Sequence, residues 1–278
     1  MGNVRNPLTN VTTQAPVTTR GNPSLDPEKA NTTTAGIVYA PAWLDGLRLS
    51  ADWYNIEING LIGVIQAQQV LDRCYLDNLA QFCADVATGA NGAITGVTVR
   101  QQNLNYFETQ GVDIEAAYRF PLSVVSENLP GRVSLRVLAN YVDKLATTAA
   151  INATTTDVAG QYTNPHWTIF GTVGYDVGRL STTLDLRYYA SGTIDNNKVV
   201  GTGPLDLNIN DVASSFLTNV SVQYNLGDFR AMKDAQVYAR VNNLFDRGIP
   251  FPSQGFGGVA ADEFIVGREF RVGARFRF

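Results

Sequence analysis

The closing run Gly267-Arg268-Glu269-Phe270-Arg271-Val272-Gly273-Ala274-Arg275-Phe276-Arg277-Phe278 constrains the fold more tightly than any other stretch of this chain. Phe270, Val272, Ala274, Phe276 and Phe278 share one face, while Arg268, Arg271, Gly273, Arg275 and Arg277 are polar or small. Only the step at Glu269 slips the phase. Side chains alternate across a strand, so this spacing predicts a β-strand with one apolar and one polar face. A helix would scatter the arginines around its circumference.

The same period recurs upstream. Val112, Ile114, Ala116, Tyr118 and Phe120 alternate with Asp113, Glu115, Ala117 and Arg119, and Val133, Leu135, Val137, Ala139 and Tyr141 with Ser134, Arg136, Leu138 and Asn140. Shorter rows follow at Trp167–Tyr175, Leu180–Tyr188, Val220–Tyr224 and Val237–Val241, and earlier ones lie at Ala35–Tyr39 and Leu47–Trp53. The second of these early rows switches phase at Tyr54. The pattern predicts nine strands, at about 31–40, 47–60, 95–120, 131–146, 161–176, 180–190, 214–226, 234–243 and 264–278. The best helix candidate is the short 67–79 run.

Alternation suits both a soluble sandwich and a transmembrane barrel, and two features separate them. Aromatics gather at strand ends, with Tyr118, Phe120, Tyr175, Tyr224, Phe276 and Phe278 at one edge and Tyr141, Trp167 and Tyr188 at the other. Smaller Val, Ala, Leu and Ile fill the middles, the arrangement of two aromatic girdles around a lipid-facing band. Connections also alternate short and long, at 41–46, 61–94, 121–131, 147–160, 177–179, 191–213, 227–233 and 244–263. Periplasmic turns and extracellular loops alternate in that way, provided that 95–120 is one unbroken strand. The barrel reading also accounts for the composition, which is 17% charged against the roughly 25% usual in soluble domains. No apolar run is long enough for a membrane-spanning helix. A net charge of −4 without a Lys/Arg run speaks against nucleic acid as a partner.

Nine is odd, whereas bacterial single-chain barrels have even strand numbers. The start of the chain has no secretory h-region. The sequence therefore reads as a fragment, the C-terminal part of a larger barrel whose N-terminus is missing. In that reading residues 1–30 are an extracellular loop remnant and residues 31–278 are barrel.

Several strings then resemble TonB-dependent outer-membrane receptors. Gly21-Asn22-Pro23-Ser24-Leu25-Asp26-Pro27-Glu28-Lys29-Ala30 is similar to the family's "NPxLxPE" segment, and Leu49–Ile58 to the aromatic strand after it. Gly111-Val112-Asp113-Ile114-Glu115 resembles its "GvEle" strand, and Val241-Asn242-Asn243-Leu244-Phe245-Asp246 its "VxNLFD" segment. The terminal run resembles the closing strand with its C-terminal aromatic. The resemblance implies a 22-stranded barrel of which these are the last nine strands, with the family's plug domain and TonB-contacting box absent. It also implies location in the outer membrane of a Gram-negative bacterium. The implied partners are outer-membrane lipid, the missing plug, the TonB complex through the missing N-terminal region, the barrel-assembly machinery and an unidentified small solute.

The candidate lumen row comprises Asp113, Glu115, Arg119, Arg136, Asn140, Asp185, Arg187, Gln223, Arg240, Arg271, Arg275 and Arg277. It reads either as a plug-facing, translocation-lining wall or as charges paired among themselves. Asp185 and Arg187, two apart on one face, are placed to pair with each other or with neighbours. Phe278 resembles the terminal aromatic read by the assembly machinery. Cys74 and Cys83 fall in the longest predicted loop and read as a loop-clamping disulfide or as two free thiols. The Asp195–Asn197 and Asn208–Asp211 segments read as turn formers, with calcium or sugar ligation the lesser alternative. The lone His166 has no partner in sequence for metal or base chemistry, and no nucleophile elbow or Walker loop is present. The expectation is a solute receptor without cofactor or catalytic residues. Its rivals are a passive porin-like channel and a secreted all-β carbohydrate-binding module.

Overall fold

The computed structural model describes residues 1–90, 92–148, 155–201, 207–229, 232–248 and 266–277. In chain order the elements are β1 (Gly2–Arg5), β2 (Thr12–Ala15), β3 (Val17–Arg20), β4 (Lys29–Tyr39), β5 (Leu47–Val64), α1 (Ala67–Tyr75), α2 (Ala80–Cys83), β6 (Val86–Thr88), β7 (Ile94–Pro121) and β8 (Arg132–Thr148). They continue as β9 (Thr156–Asp157), β10 (Trp167–Val177), β11 (Leu180–Tyr189), β12 (Gly192–Thr193), β13 (Asp211–Val212), β14 (Ser215–Phe229), β15 (Met232–Asn242) and β16 (Glu269–Arg277). Among the described residues the main ladder runs β16-β15-β14-β11-β10-β8-β7-β5-β4, nine strands in all. The chain divides into two compact units.

The second unit, Thr32–Asn55, Thr109–Leu145 and Asp157–Phe278, carries most of that ladder. Antiparallel registers sort its side chains into two faces. Tyr141 stands opposite Trp167, Val137 opposite Gly171, Ile169 opposite Tyr188, Leu184 opposite Val220 and Val220 opposite Val241. Apart from Thr182 and Thr218 this face is apolar, and it ends at β16 with Phe270 and Val272, 69% and 82% exposed. Aromatics fringe it: Tyr141 packs on Trp167 at 4.9 Å and Tyr118 stacks on Phe120 at 4.7 Å. From Trp167 to Tyr175 the strand advances about 27 Å, and at the tilt of barrel strands that is roughly 20 Å of height, close to the apolar band of such barrels. The opposite face holds Arg136, Thr172, Asp185 and Asn219 in one row, and Ser221, Arg240 and Arg271 in another. β10 and β11 close through Gly178-Arg179, with Gly178 at φ +55° where a two-residue hairpin loop favours glycine.

The first unit, Met1–Asn31, Ile56–Glu108 and Ala146–Thr156, has a separate apolar core. Val4, Ala15, Ile65, Val70, Leu71, Phe82, Ile94, Val97 and Val99 are buried together. The helix α1 forms because Val70, Leu71 and Cys74 share one face while Gln69 Oε1 accepts the Gln66 N–H at 3.0 Å ahead of the first turn. Gln68 joins helix to hairpin, accepting the Arg5 N–H at 2.8 Å and donating to the Arg5 carbonyl at 2.9 Å. The Cys74–Cys83 disulfide links α1 to α2 with Cα atoms 4.7 Å apart. β3 pairs in parallel with β7, Val17 opposite Val97, and β6 pairs antiparallel with the same stretch.

The nine predicted strands are all present, and 95–120 is unbroken as expected. The strand expected from 161 begins instead at Trp167, because residues 160–164 form a turn in which the Gly160 N–H donates to Asn164. Pro165 then offers no ladder donor.

Candidate functional site

The polar face of the second unit brings together most of the expected wall residues. Arg136 Nε donates to Glu115 at 2.8 Å, and Asn140 Nδ2 to Asp113 at 2.6 Å. Thr172 donates to Asp185 at 3.2 Å, whereas Arg187 lies over the Phe170 ring at 5.9 Å. Arg240 and Arg271 stand directly opposite each other. They are accommodated by a bridge in which Arg240 donates to Asn242, Asn242 to Glu269, and Arg271 to Glu269, at 2.6, 3.0 and 2.8 Å. Arg277 is salt-bridged to Asp234. Arg119 sits at the turn end of β7, where its backbone N–H donates to Gly46. Thus Glu115 and Arg136 pair with each other, whereas Arg271 and Arg277 pair with Glu269 and Asp234 outside the expected row. These pairs are largely solvated, and screening by water keeps each of them weak.

The same face also carries apolar residues that the alternation did not single out. Leu138, Phe170, Arg187 and Leu217 form one cross-strand row, and Tyr189 meets Phe170 edge-on at 6.4 Å. A shallow concavity of about 340 Å³ lies here, lined by Asp52, Asp113, Glu115, Asn140, Leu138 and Phe170. The alternation left Phe170 outside its apolar row, and register alone reveals that Phe170 joins Leu138.

Elsewhere, three of the five strings singled out in the sequence have a local physical reason. Asn22 Nδ2 donates to the Gln101 carbonyl, Asp26 and Asn103 exchange hydrogen bonds at 2.8 and 2.7 Å, and Glu28 accepts the Ile62 N–H at 2.7 Å. Those contacts pin the Gly21–Ala30 segment to β7 and β5. A Cβ on Gly111 would lie 2.3 Å from the Tyr141 carbonyl oxygen and 2.5 Å from the Tyr54 hydroxyl, so only glycine fits. Asn243, 2% exposed and at φ +50°, donates through Nδ2 to the Arg247 carbonyl and accepts the Arg247 N–H. Its own N–H donates to Asn219, and Asp246 accepts the Arg268 N–H, so the Val241–Asp246 segment is tied to Asn219, Arg247 and Arg268.

Asn210 behaves as a turn former: it donates to the carbonyls of Asp195 and Lys198 and accepts the N–H groups of Ile194 and Asp195. Asn196 likewise donates to the carbonyls of Asp157 and Ala159. No group of metal-ligating side chains occurs among the described residues. His166 stacks on Tyr141 with Nδ1 2.6 Å from the Val142 carbonyl. Cys74 and Cys83 are disulfide-bonded, as one of the two sequence readings held. Phe278 lies outside the described residues.

The family described as "TonB dependent receptor-like, beta-barrel" matches residues 2–244. The chain belongs to that family. Among solved structures, this receptor barrel is similar to the siderophore receptor PirA from Acinetobacter baumannii, at 18% identity and a TM-score of 0.58, over 94% of this chain and 33% of that one. It is also similar to the FrpB iron transporter from Neisseria meningitidis, at 15% identity and 0.56, over 94% and 32%. The ferric citrate transporter FecA follows at 18% and 0.51, over 90% and 32%. The chain thus spans about a third of the length of the solved receptors it matches, with the fold of a receptor β-barrel. No curated protein matches it.

Proposed function

We propose that this chain is the C-terminal barrel section of an outer-membrane receptor that takes up a scarce solute with energy from TonB. The observation that carries the proposal is the two-faced sheet, apolar and aromatic-fringed on one side, charged and hydrogen-bonded on the other, in a chain of the receptor-barrel family. The solved neighbours described as siderophore or iron transporters support an iron chelate as the solute. A saccharide is the second candidate.

In this proposal residues 1–30 belong to an extracellular loop and 31–278 to the barrel. Asp113, Glu115, Arg119, Arg136, Asp185, Arg187, Arg240, Arg271 and Arg275 face the lumen and the plug domain of the complete receptor. The disulfide stiffens the extracellular segment that carries Cys74 and Cys83, Phe278 is the assembly signal, and lipid of a Gram-negative outer membrane covers the apolar face. The role is transport, with no chemical step on the solute.

The test is uptake of radiolabelled ferric siderophores and oligosaccharides by cells carrying the complete receptor, with and without a functional TonB complex. Uptake that requires TonB is expected. Steady ionic conductance of the 278-residue chain in planar bilayers, with uptake indifferent to TonB, would establish a passive channel instead.

A further inference from the structure

The turn between β7 and β8 carries little charge. From Pro121 to Pro130 its only ionisable residue is Glu127, whereas the chain around the β14–β15 turn holds Asp228, Lys233 and Asp234. Its apolar side chains are nonetheless exposed, Val124 by 70%, Val125 by 69% and Leu129 by 43%. Much of its backbone is satisfied internally. The Val125 and Ser126 N–H groups donate to the Leu122 carbonyl at 2.9 and 3.2 Å, the Leu129 N–H to Ser126 at 2.9 Å, and the Leu122 N–H to Gly131 at 2.9 Å. Backbone groups that already have partners can leave water at low cost. Two features set this turn beside the apolar face of the second unit. Leu122 continues the β7 row of Ile114, Ala116, Tyr118 and Phe120. Tyr175, on the apolar row of β10 opposite Val133, donates its hydroxyl to the Pro130 carbonyl at 3.1 Å. Gly131, at φ +96°, permits that approach, since a Cβ there would lie 2.6 Å from the Asp176 carbonyl oxygen and 2.8 Å from the Tyr175 ring.

The geometry points to a membrane anchor built from this turn. Residues 121–130 seat Val124, Val125 and Leu129 in the phospholipid leaflet at the turn end of the sheet, at the boundary between headgroups and acyl chains, and Tyr175 holds them there. Segments of this kind enter the boundary by about 5–10 Å. The occupant is phospholipid, because the exposed valines prolong the face that lipid covers in the proposed barrel, and Glu127 is the one charge that the turn adds to it. The inference rests on that barrel reading and is independent of the solute and of TonB.

The test places an NBD fluorophore on a single new cysteine, Val125→Cys, Val137→Cys or Thr9→Cys, in the full 278-residue chain folded into phosphatidylcholine vesicles. Cys74 and Cys83 are bonded to each other and do not compete for the label. Phosphatidylcholine bearing a nitroxide quenches from a known depth in both leaflets, whichever way the chain inserts. The label at Val125 is expected to be quenched about threefold more strongly by a nitroxide near the headgroup than by one at the end of the acyl chain. The label at Val137, in mid-strand, should show the reverse order, and the label at Thr9, in the exposed turn between β1 and β2, little quenching by either. Tyr175→Phe is expected to reduce the shallow quenching at Val125 about twofold and to leave Val137 unchanged. A Val125 label as unquenched as that at Thr9, beside a lipid-quenched Val137, would overturn the anchor, spare the barrel reading and turn the patch over to a protein partner. A Val137 label beyond the reach of both nitroxides would overturn both. Shallow quenching that survives Tyr175→Phe in full would overturn the part given to Tyr175.

Discussion

A methyl group on Gly111 would press on the Tyr141 carbonyl oxygen and the Tyr54 hydroxyl at once, and backbone cannot swing aside. At Gly174 the obstacle is instead the Ser134 hydroxyl, 2.4 Å from the same imagined methyl, and a serine rotamer can change. Gly111→Ala is therefore expected to destabilise the chain by about 1–3 kcal/mol and Gly174→Ala by less, read from urea midpoints in detergent. Equal losses would remove the distinction between backbone and side-chain obstacles. Asn243 offers a second residue-scale test. Its side chain holds the Arg247 backbone twice, and its φ is positive. Asn243→Ala is expected to cost about 2 kcal/mol locally and to open the 244–248 stretch to limited proteolysis. An unchanged cleavage rate would show that Asp246 and Arg268 hold that stretch without it.

At the scale of a strand, β8 puts neighbouring residues on opposite faces. Val137 belongs to the apolar row and Leu138 to the row of Phe170 and Arg187. Val137→Arg is expected to cost about 2–4 kcal/mol in bilayers, while Leu138→Arg, on the charged side, costs little. Equal effects on folding into lipid vesicles would contradict the assignment of faces. Glu115→Gln, which leaves Arg136 solvated, is expected to shift stability by under about 1 kcal/mol. The strands of the ladder were legible because alternation over nine residues leaves few other readings, as at Val112–Phe120 and Val133–Tyr141. Elements such as β3 and β6 were not, since each spans four residues or fewer and is held by a distant stretch of β7 rather than by its own pattern. The wall charges could be read by phase. Phase also put Leu138 on the polar row, but its pairing with Phe170 could not be read, because only register sets the two side by side.

For the whole molecule, the division into two units means that stability has two sources. The first unit combines a small apolar core with the Cys74–Cys83 bond, which closes a loop of about ten residues and contributes roughly 2–3 kcal/mol by chain entropy. Reduction is expected to raise amide exchange across residues 67–99 and to leave β10, β11 and β14 protected; exchange rising equally in both would mean that the units unfold as one.

The parallel pairing of Val17 with Val97 also sets an order of events in time. In the second unit β10 meets β11 across a two-residue turn, so such contacts close quickly once the chain collapses onto detergent. β3 must instead wait for a partner some eighty residues further on, and closing so long a stretch carries a larger entropic cost. Trp43, Trp53 and Trp167 all belong to the second unit, so tryptophan fluorescence during refolding would follow the ladder alone. The first unit would consolidate later and unseen by that probe, so a fluorescence trace already at its plateau would be no sign that the Val70–Val97 core had formed.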